Sequence, residues 1–227
     1  MTFAVPPTRA AAVLAQLREE IVCGAMSAGT PVKDAELAAR LGVSITPVRE
    51  AIAQLAVEGL IDIAPNRTRR VTRVTQKNAL ELIDIMELLA CAGVEWGIDR
   101  LTDEHLAALG RELVQFSDAV KRGDVAAASS SGAQFSTVLI SACGNQELQK
   151  HIDLVVARTL RVLAIGADIN LWRIWLDGYR ELLACLEVGD RPGAARRHRE
   201  IYRQYRAQVG TLLAESPSDG ADPGSRA

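Results

Sequence analysis

The chain has 227 residues, with 26 basic and 28 acidic side chains and a formal net charge of −2. That length leaves room for a second unit with its own core beside any small domain, and the near-balance of charge excludes a surface that grips nucleic acid through its overall sum. No run approaches about 18 uncharged apolar residues and no basic stretch followed by an apolar one opens the chain, so neither membrane insertion nor export is expected and the predicted location is the cytoplasm. Cys23, Cys91, Cys143 and Cys185 are far apart, none in a C-x-x-C pair, and each lies in an apolar helical context, which predicts small buried hydrophobes.

In chain order, the first informative stretch is ELAARLGVSITPVREAIAQLAVEGL, Glu36 to Leu60. Leu37, Ala38 and Leu41 form one apolar face of a short helix, with Glu36, Ala39 and Arg40 outside. Gly42 is a helix stop that tolerates the left-handed conformation, and Val43 anchors the turn. Ser44 is placed to cap a second helix whose first turn contains Pro47. Along it Val48, Ile52, Leu55 and Ala56 recur at helical spacing toward a core, while Ser44, Thr46, Arg49 and Ala53 lie on the other side. Short hydroxyls and an arginine at a helix N-terminus suit phosphates and base edges in a groove.

Gly59 ends the second helix. Leu60 to Ile63 is short and β-rich, Pro65 and Asn66 form a turn, and a second strand-like run surrounds Arg70 to Val74. RTRRVTR, Arg67 to Arg73, carries four arginines, and no acidic residue lies between Asp62 and Glu81. Affinity for DNA follows such clustered cations rather than the net sum, and wing arginines suit a narrow minor groove. Each piece also has a plain structural reading: helix-turn-helix pairs occur in proteins that never touch DNA, arginine runs are commonly solvated faces, and Arg49 could pair with Glu50 or Glu58. The motif followed at this spacing by a basic hairpin is what favours DNA.

From Thr75 onward apolar residues recur at three and four, with almost no β-rich run. Helices are predicted from about Lys77 to Ile98, Asp103 to Arg122 with Thr102 as cap, Val125 to Cys143, Gln146 to Ile165, Leu171 to Val188 and Pro192 to Glu215. Gly123–Asp124, Gly144–Asn145 and Gly189–Asp190 are the turns, and Gly166 to Asn170 is a break. The tail 216–227, rich in Ser, Pro, Gly and Asp, is predicted to be disordered. The expected fold is therefore mostly α: a winged helix-turn-helix over 1–75, then an all-helical antiparallel bundle over 76–215.

Residues 9 to 75 resemble the DNA-binding domain of the GntR family of bacterial transcription regulators. The resemblance rests on LREEIVCGAMSAGTPV, ELAARLGVS, TPVREAIAQLAVEGLI and the arginine-bearing wing. It implies a homodimer, in most members a repressor, on a palindromic double-stranded operator. Ser44, Thr46 and Arg49 match the family's recognition-helix contacts and Asn66, Arg67 and Arg69 its wing; Arg70 adds a further cation there. Many relatives carry basic residues at the places of Ala35 and Ile45, so two cations expected at the DNA are missing from this chain.

Residues 78 to 213 resemble the FCD effector-binding domain, with the GD pairs at Gly123 and Gly189 and GNQEL at Gly144 to Leu148 as landmarks. That resemblance implies a pocket for a small carboxylic acid, which many relatives hold through a divalent metal on one aspartate and three histidines. Here those places fall on Gly132, Ser136, Tyr179 and Ile201, and His105, His151 and His198 are too scattered to rebuild the set, so neither metal nor other cofactor is expected. An arginine common in the first bundle helix is replaced by Leu88. Three possibilities follow for the effector. A larger apolar ligand such as an acyl thioester could use Leu88, Ser136 and Tyr179; Arg158 and Arg161 could hold a carboxylate or phosphate without metal; or the pocket is filled by its own side chains, leaving a ligand-independent DNA-binding adaptor. The plain alternative for the two arginines is solvation or pairing with Asp153 or Glu181, and for Trp172 and Trp175 it is core or dimer packing. No nucleophile elbow, phosphate loop or Ser-His-Asp set supports an enzyme, which would also leave the arginine wing unexplained.

Overall fold

The computed structural model describes residues 8–65, 67–163 and 169–215. Three helices open the chain: α1 (Arg9–Val22), α2 (Asp34–Leu41) and α3 (Ile45–Val57). A two-stranded antiparallel hairpin follows, β1 (Ile61–Ile63) against β2 (Arg69–Val71), in the register Ile61↔Val71, Asp62↔Arg70 and Ile63↔Arg69. Val13, Leu17 and Ile21 recur every four residues on α1 and meet Val48, Ile52 and Leu55 of α3, with Leu60, Ile61 and Val71 closing the core from the hairpin. This is a winged helix-turn-helix.

The turn between α2 and α3 forms as the local signals predict. Gly42 is left-handed at φ 65°, its N–H reaches the carbonyls of Ala38 and Ala39, and the Val43 N–H returns to Ala38 at 3.1 Å. The wing differs in register from the sequence expectation: β2 begins at Arg69. The Arg67 N–H donates to Ala64 and the Ala64 N–H to Thr68, so the turn closes by residue 68 and pairing starts at once. Ser44 differs as well. It occupies the N-cap of α3 with extended dihedrals yet makes no capping hydrogen bond, because the third helical position is Pro47, which has no N–H to offer.

The rest of the described chain is an all-helical antiparallel bundle: α4 (Gln76–Gly97), a single 3₁₀ turn Ile98–Arg100, α5 (Asp103–Arg122), α6 (Val125–Ser141), α7 (Gln146–Leu163), α8 (Ile169–Glu187) and α9 (Arg191–Glu215). Thr102 caps α5 in a reciprocal box with His105, and left-handed Gly123 ends it. Asp124 then caps α6 through the Ala127 N–H. α4 packs on α6, α7 and α9, α5 on α6 and α8, and α8 on α9. Gly97 permits a close crossing, since a Cβ there would strike the backbone of Cys143. The expected break at Gly166 to Asn170 lies in part outside the described residues, with Ile169 and Asn170 already opening α8; the tail 216–227 and Asn66 lie outside them entirely. No described helix is long and apolar enough to cross a membrane.

Candidate nucleic-acid interface and buried cavity

Ser44, Thr46 and Arg49 stand together, exposed, on the first turns of α3. Arg49 is held from an unexpected quarter. Its Nε donates to Asp34 Oδ2 at 2.8 Å, and the other oxygen of the same carboxylate accepts from Arg69 of the wing. Burial pushes the Asp34 carboxyl up, but the hydrogen bonds from Arg49 and Arg69 outweigh it and hold the group below the usual carboxylate range. Asp34 sits in the first turn of α2, where the helix dipole also favours its charge. One acidic residue thus fixes two arginines from two elements into a single array. Glu58, the partner suggested by spacing, is instead taken by Arg18 of α1 in a two-pronged pair at 2.8 and 2.6 Å. Arg70 donates to the Gly29 carbonyl at 3.1 Å, and Arg67 stands exposed at the wing tip at φ 62°, a left-handed conformation that costs a non-glycine residue roughly 1 kcal/mol.

The bundle reaches this unit through α7. Ala157 belongs to the winged-helix core rather than to the bundle's own. Arg158 lies across Gly59, where a Cβ would come within 3.0 Å of its Cδ; Gly59 is also left-handed at φ 70°. Arg161 is buried beside Asp62 of β1, burial pulling its pKa down and the Asp62 charge opposing that. Neither arginine lines the cavity inside the bundle, which corrects the expectation that they share it; Arg161 instead borders a separate cleft with Ile21, Val22, Met26 and Val74. Helical periodicity explains it: Ile152, Val156, Thr159 and Leu163 turn to the bundle interior, and positions 157, 158 and 161 fall on the opposite side.

That interior holds a cavity of about 70 Å³ among α4, α5, α6, α7, α8 and α9. Phe116, Trp172, Trp175 and Tyr179 form its aromatic walls, and among the described residues no Asp, Glu, Lys, Arg or His lines it. Ser136 and Tyr179, both expected at the pocket, meet there at 2.6 Å between hydroxyl oxygens, and the Tyr179 O–H also points to the Gly132 carbonyl at 3.4 Å. Phe135 stacks on the Tyr179 ring at 4.0 Å. Burial pushes the Tyr179 phenol well up, against the Ser136 hydrogen bond, so it stays protonated. Leu88, by contrast, is 66% exposed on the outer face of α4 and contributes nothing to the cavity, a second correction. Trp172 and Trp175 are core residues and cavity walls at once; both indole N–H groups are buried without a hydrogen-bond partner. Phe116, which no sequence motif singles out, touches both Trp172 and Tyr179.

The metal-binding places of the FCD resemblance, Gly132, Ser136 and Tyr179, do converge at this cavity, and Ile201 packs on Gly178 beside them. Their chemistry does not fit a divalent ion: one has no side chain, two are neutral hydroxyls bonded to each other, and one is alkyl. His198 is fully buried one turn from Tyr202, its Nδ1 3.6 Å from Cys91 Sγ. Burial, with help from the Arg199 charge, lowers its pKa to about 4 and keeps it neutral. Among the described residues no three His, Cys, Asp or Glu side chains are grouped to hold a metal.

Beside the cavity runs a groove of about 520 Å³ between the two halves of the molecule, lined by Arg18, Glu19 and Val22 of α1 and by α6 and α7. Ser129, Ala133, Thr137, Val156 and Leu160 line both spaces. The wall of the cavity is therefore the floor of the interdomain groove.

An exposed helix-turn-helix with a basic wing, joined to a helical bundle around a cavity, defines a DNA-binding regulator with an appended helical domain. Residues 9–71 match the family model described as bacterial regulatory proteins, gntR family, and residues 81–204 match the FCD domain. The chain belongs to the GntR family, in its FCD-domain branch, and is a DNA-binding transcription regulator rather than an enzyme. It is 27% identical over 191 residues to the HTH-type transcriptional regulator McbR of Escherichia coli K12, covering 83% of this chain and 86% of that one. It is 26% identical over 183 residues, 78% of this chain and 80% of the other, to a probable D-xylose utilization operon transcriptional repressor of Paenarthrobacter nicotinovorans. The solved structure of E. coli McbR/YncC superposes with a TM-score of 0.78 at 25% identity, over 90% of this chain and 98% of that one. A GntR regulator structure from Rhodococcus sp. RHA1 shares the fold, with a TM-score of 0.77 at 22% identity over 88% and 97% of the two chains.

Because Ser136 and Tyr179 satisfy each other, Tyr179→Phe and Ser136→Ala are each expected to cost about 1–3 kcal/mol in urea unfolding, and the double variant clearly less than their sum. Strict additivity would show that the two hydroxyls do not pair.

Proposed function

We propose that the protein is a homodimeric repressor that reads a palindromic operator through α3 and the wing, and that its bundle senses a small metabolite without a bound metal. Ser44, Thr46 and Arg49 would read the major groove, with Arg67, Arg69 and Arg70 along the adjacent backbone or minor groove and Asn66, next to Arg67 in sequence, contributing to the same contact. The supporting observation is the Asp34 carboxylate, which holds the exposed recognition-helix arginine and a half-buried wing arginine in one array. A regulator needs its cations preset on two elements in this way, because phosphate contacts fix register before base edges are read. The division of labour places DNA binding in residues 1–75 and sensing and dimerisation in 76–215, with action in the cytoplasm where the operator lies.

A second surface supports dimerisation. Ile85, Leu88, Ala92 and Trp96 follow one another at three, four and four residues along the outer face of α4; Ile85, Leu88 and Trp96 are 48%, 66% and 54% exposed. Such a stripe is the seam of a helix pair, and self-association across a two-fold axis would match two α3 helices to two half-sites. For signalling, ligand in the cavity would press on α7 and thereby on Ala157, Arg158 and Gly59, biasing the placement of the winged helix. A ligand-independent adaptor is the other reading, favoured by the small size of the cavity and the Phe135–Tyr179 stack beside it.

Selection of bound duplexes from a random pool by the full-length protein is expected to enrich a palindrome; enrichment of a single unpaired half-site would contradict the dimer, and none at all the regulator reading. On the selected duplex, Arg49→Ala should weaken binding and relax one base position, whereas Asp34→Asn, by freeing Arg49 and Arg69, should strengthen binding to random DNA and narrow the specificity ratio. Replacing Arg67, Arg69 and Arg70 by Ala should lower the slope of log affinity against log salt by about 0.9 for each phosphate that the wing ceases to neutralise. In sedimentation, Leu88→Asp with Trp96→Ala should convert dimer to monomer with the helical signal intact; an unchanged dimer would move the interface elsewhere.

A further inference from the structure

We infer that the cavity takes a small, uncharged, flat ligand with a hydrogen-bond acceptor, such as an aryl carbonyl or amide, and rejects the carboxylates that metal-bearing relatives hold. The inference rests on reading the bundle as a sensor and adds the chemistry of what it senses. Among the described residues no cation lines the cavity, and the two arginines of α7 that flank lining residues, Arg158 and Arg161, project to its other side against Gly59 and Asp62. A carboxylate entering would lose its water and gain no cation to balance its charge, which costs an anion far more than a neutral carbonyl offered the same neutral donors.

Shape and polarity point the same way. Phe116, Trp172, Trp175 and Tyr179 offer ring faces and edges to a flat molecule. The Trp172 and Trp175 indole N–H groups are buried donors with no partner, and an acceptor on the ligand would relieve them. At about 70 Å³ the cavity is roughly half the ~150 Å³ that holds benzene in a dry protein interior. A ring must therefore displace a wall. The wall it shares with the interdomain groove, Ser129, Ala133, Val156 and Leu160 on α6 and α7, borders open space, whereas the aromatic side is backed by the packed core. Ligand entry thus moves the helix that carries Ala157 and Arg158.

Benzamide, its isosteric anion benzoate, and toluene separate these effects when titrated calorimetrically into the full-length protein at neutral pH. Zinc with citrate serves as the metal-chelate comparison. Benzamide should bind at least about tenfold more tightly than benzoate, which corresponds to about 1.4 kcal/mol, and more tightly than toluene. Its binding should vanish in Gly132→Leu and in Thr159→Leu, two independent fillings of the same space. Benzoate or zinc citrate binding as well as benzamide would overturn the proposal, as would toluene matching benzamide, benzamide surviving both fillings, or none of the three aryl probes binding at millimolar concentration. Duplex selection on the same preparation keeps the two readings apart. An enriched duplex without benzamide preference overturns the ligand class alone, and benzamide preference without any enriched duplex supports the ligand class while removing the regulator reading.

Discussion

Helix α7 belongs to both halves of the molecule, and the rest of the architecture depends on how it divides its two sides. One side, through Ile152, Val156, Thr159 and Leu163, closes the cavity; the other inserts Ala157 into the winged-helix core and lays Arg158 over Gly59. A long or branched residue at 157 would hold the two cores apart, and a side chain at 59 would meet both a left-handed backbone and the Arg158 stem. Close-packed interfaces of this kind shift between discrete arrangements rather than deform smoothly, which is what a sensor needs from the element joining its parts.

The distribution of charge follows the same division. A chain of net charge −2 places arginines at the wing and the recognition helix, and among the described residues no charged side chain lines the cavity. At the DNA-facing surface the cations are tethered: Asp34 orders Arg49 and Arg69, and Glu58 ties Arg18 to the end of α3. In each pair a largely covered carboxylate holds a more exposed guanidinium, which fixes the orientation of the cation. Inside the bundle the opposite rule holds: the Ser136 and Tyr179 hydroxyls bond to each other, and the buried His198 is neutral.

Legibility in the sequence tracks how local each signal is. Gly42, the apolar faces of α2 and α3, the Thr102 cap and the Gly123–Asp124 turn are written in neighbouring residues, and the corresponding elements form where those residues predict; α5 matches from Asp103 to Arg122. Ser44 shows the limit even of local reasoning, since its cap is defeated by the missing N–H of Pro47 three residues on. At the site, Ser136 and Tyr179 were legible because the FCD resemblance aligned them with ligand places. Leu88, Arg158 and Arg161 were not, because spacing tells which residues share a face but not which neighbour that face meets. The Asp34 pairing is equally long-range: it joins residues 15 and 35 positions apart.

Amide hydrogen exchange of the full-length protein, with and without the selected duplex, tests most directly whether α7 is the mechanical link between cavity and winged helix. DNA binding is expected to slow exchange along α7 from Ala157 to Leu163 and at the Gly59 turn as well as in α3, since the winged helix and α7 share a core. Protection confined to α2, α3 and the wing, with α7 unchanged, would contradict the link and leave the two halves independent.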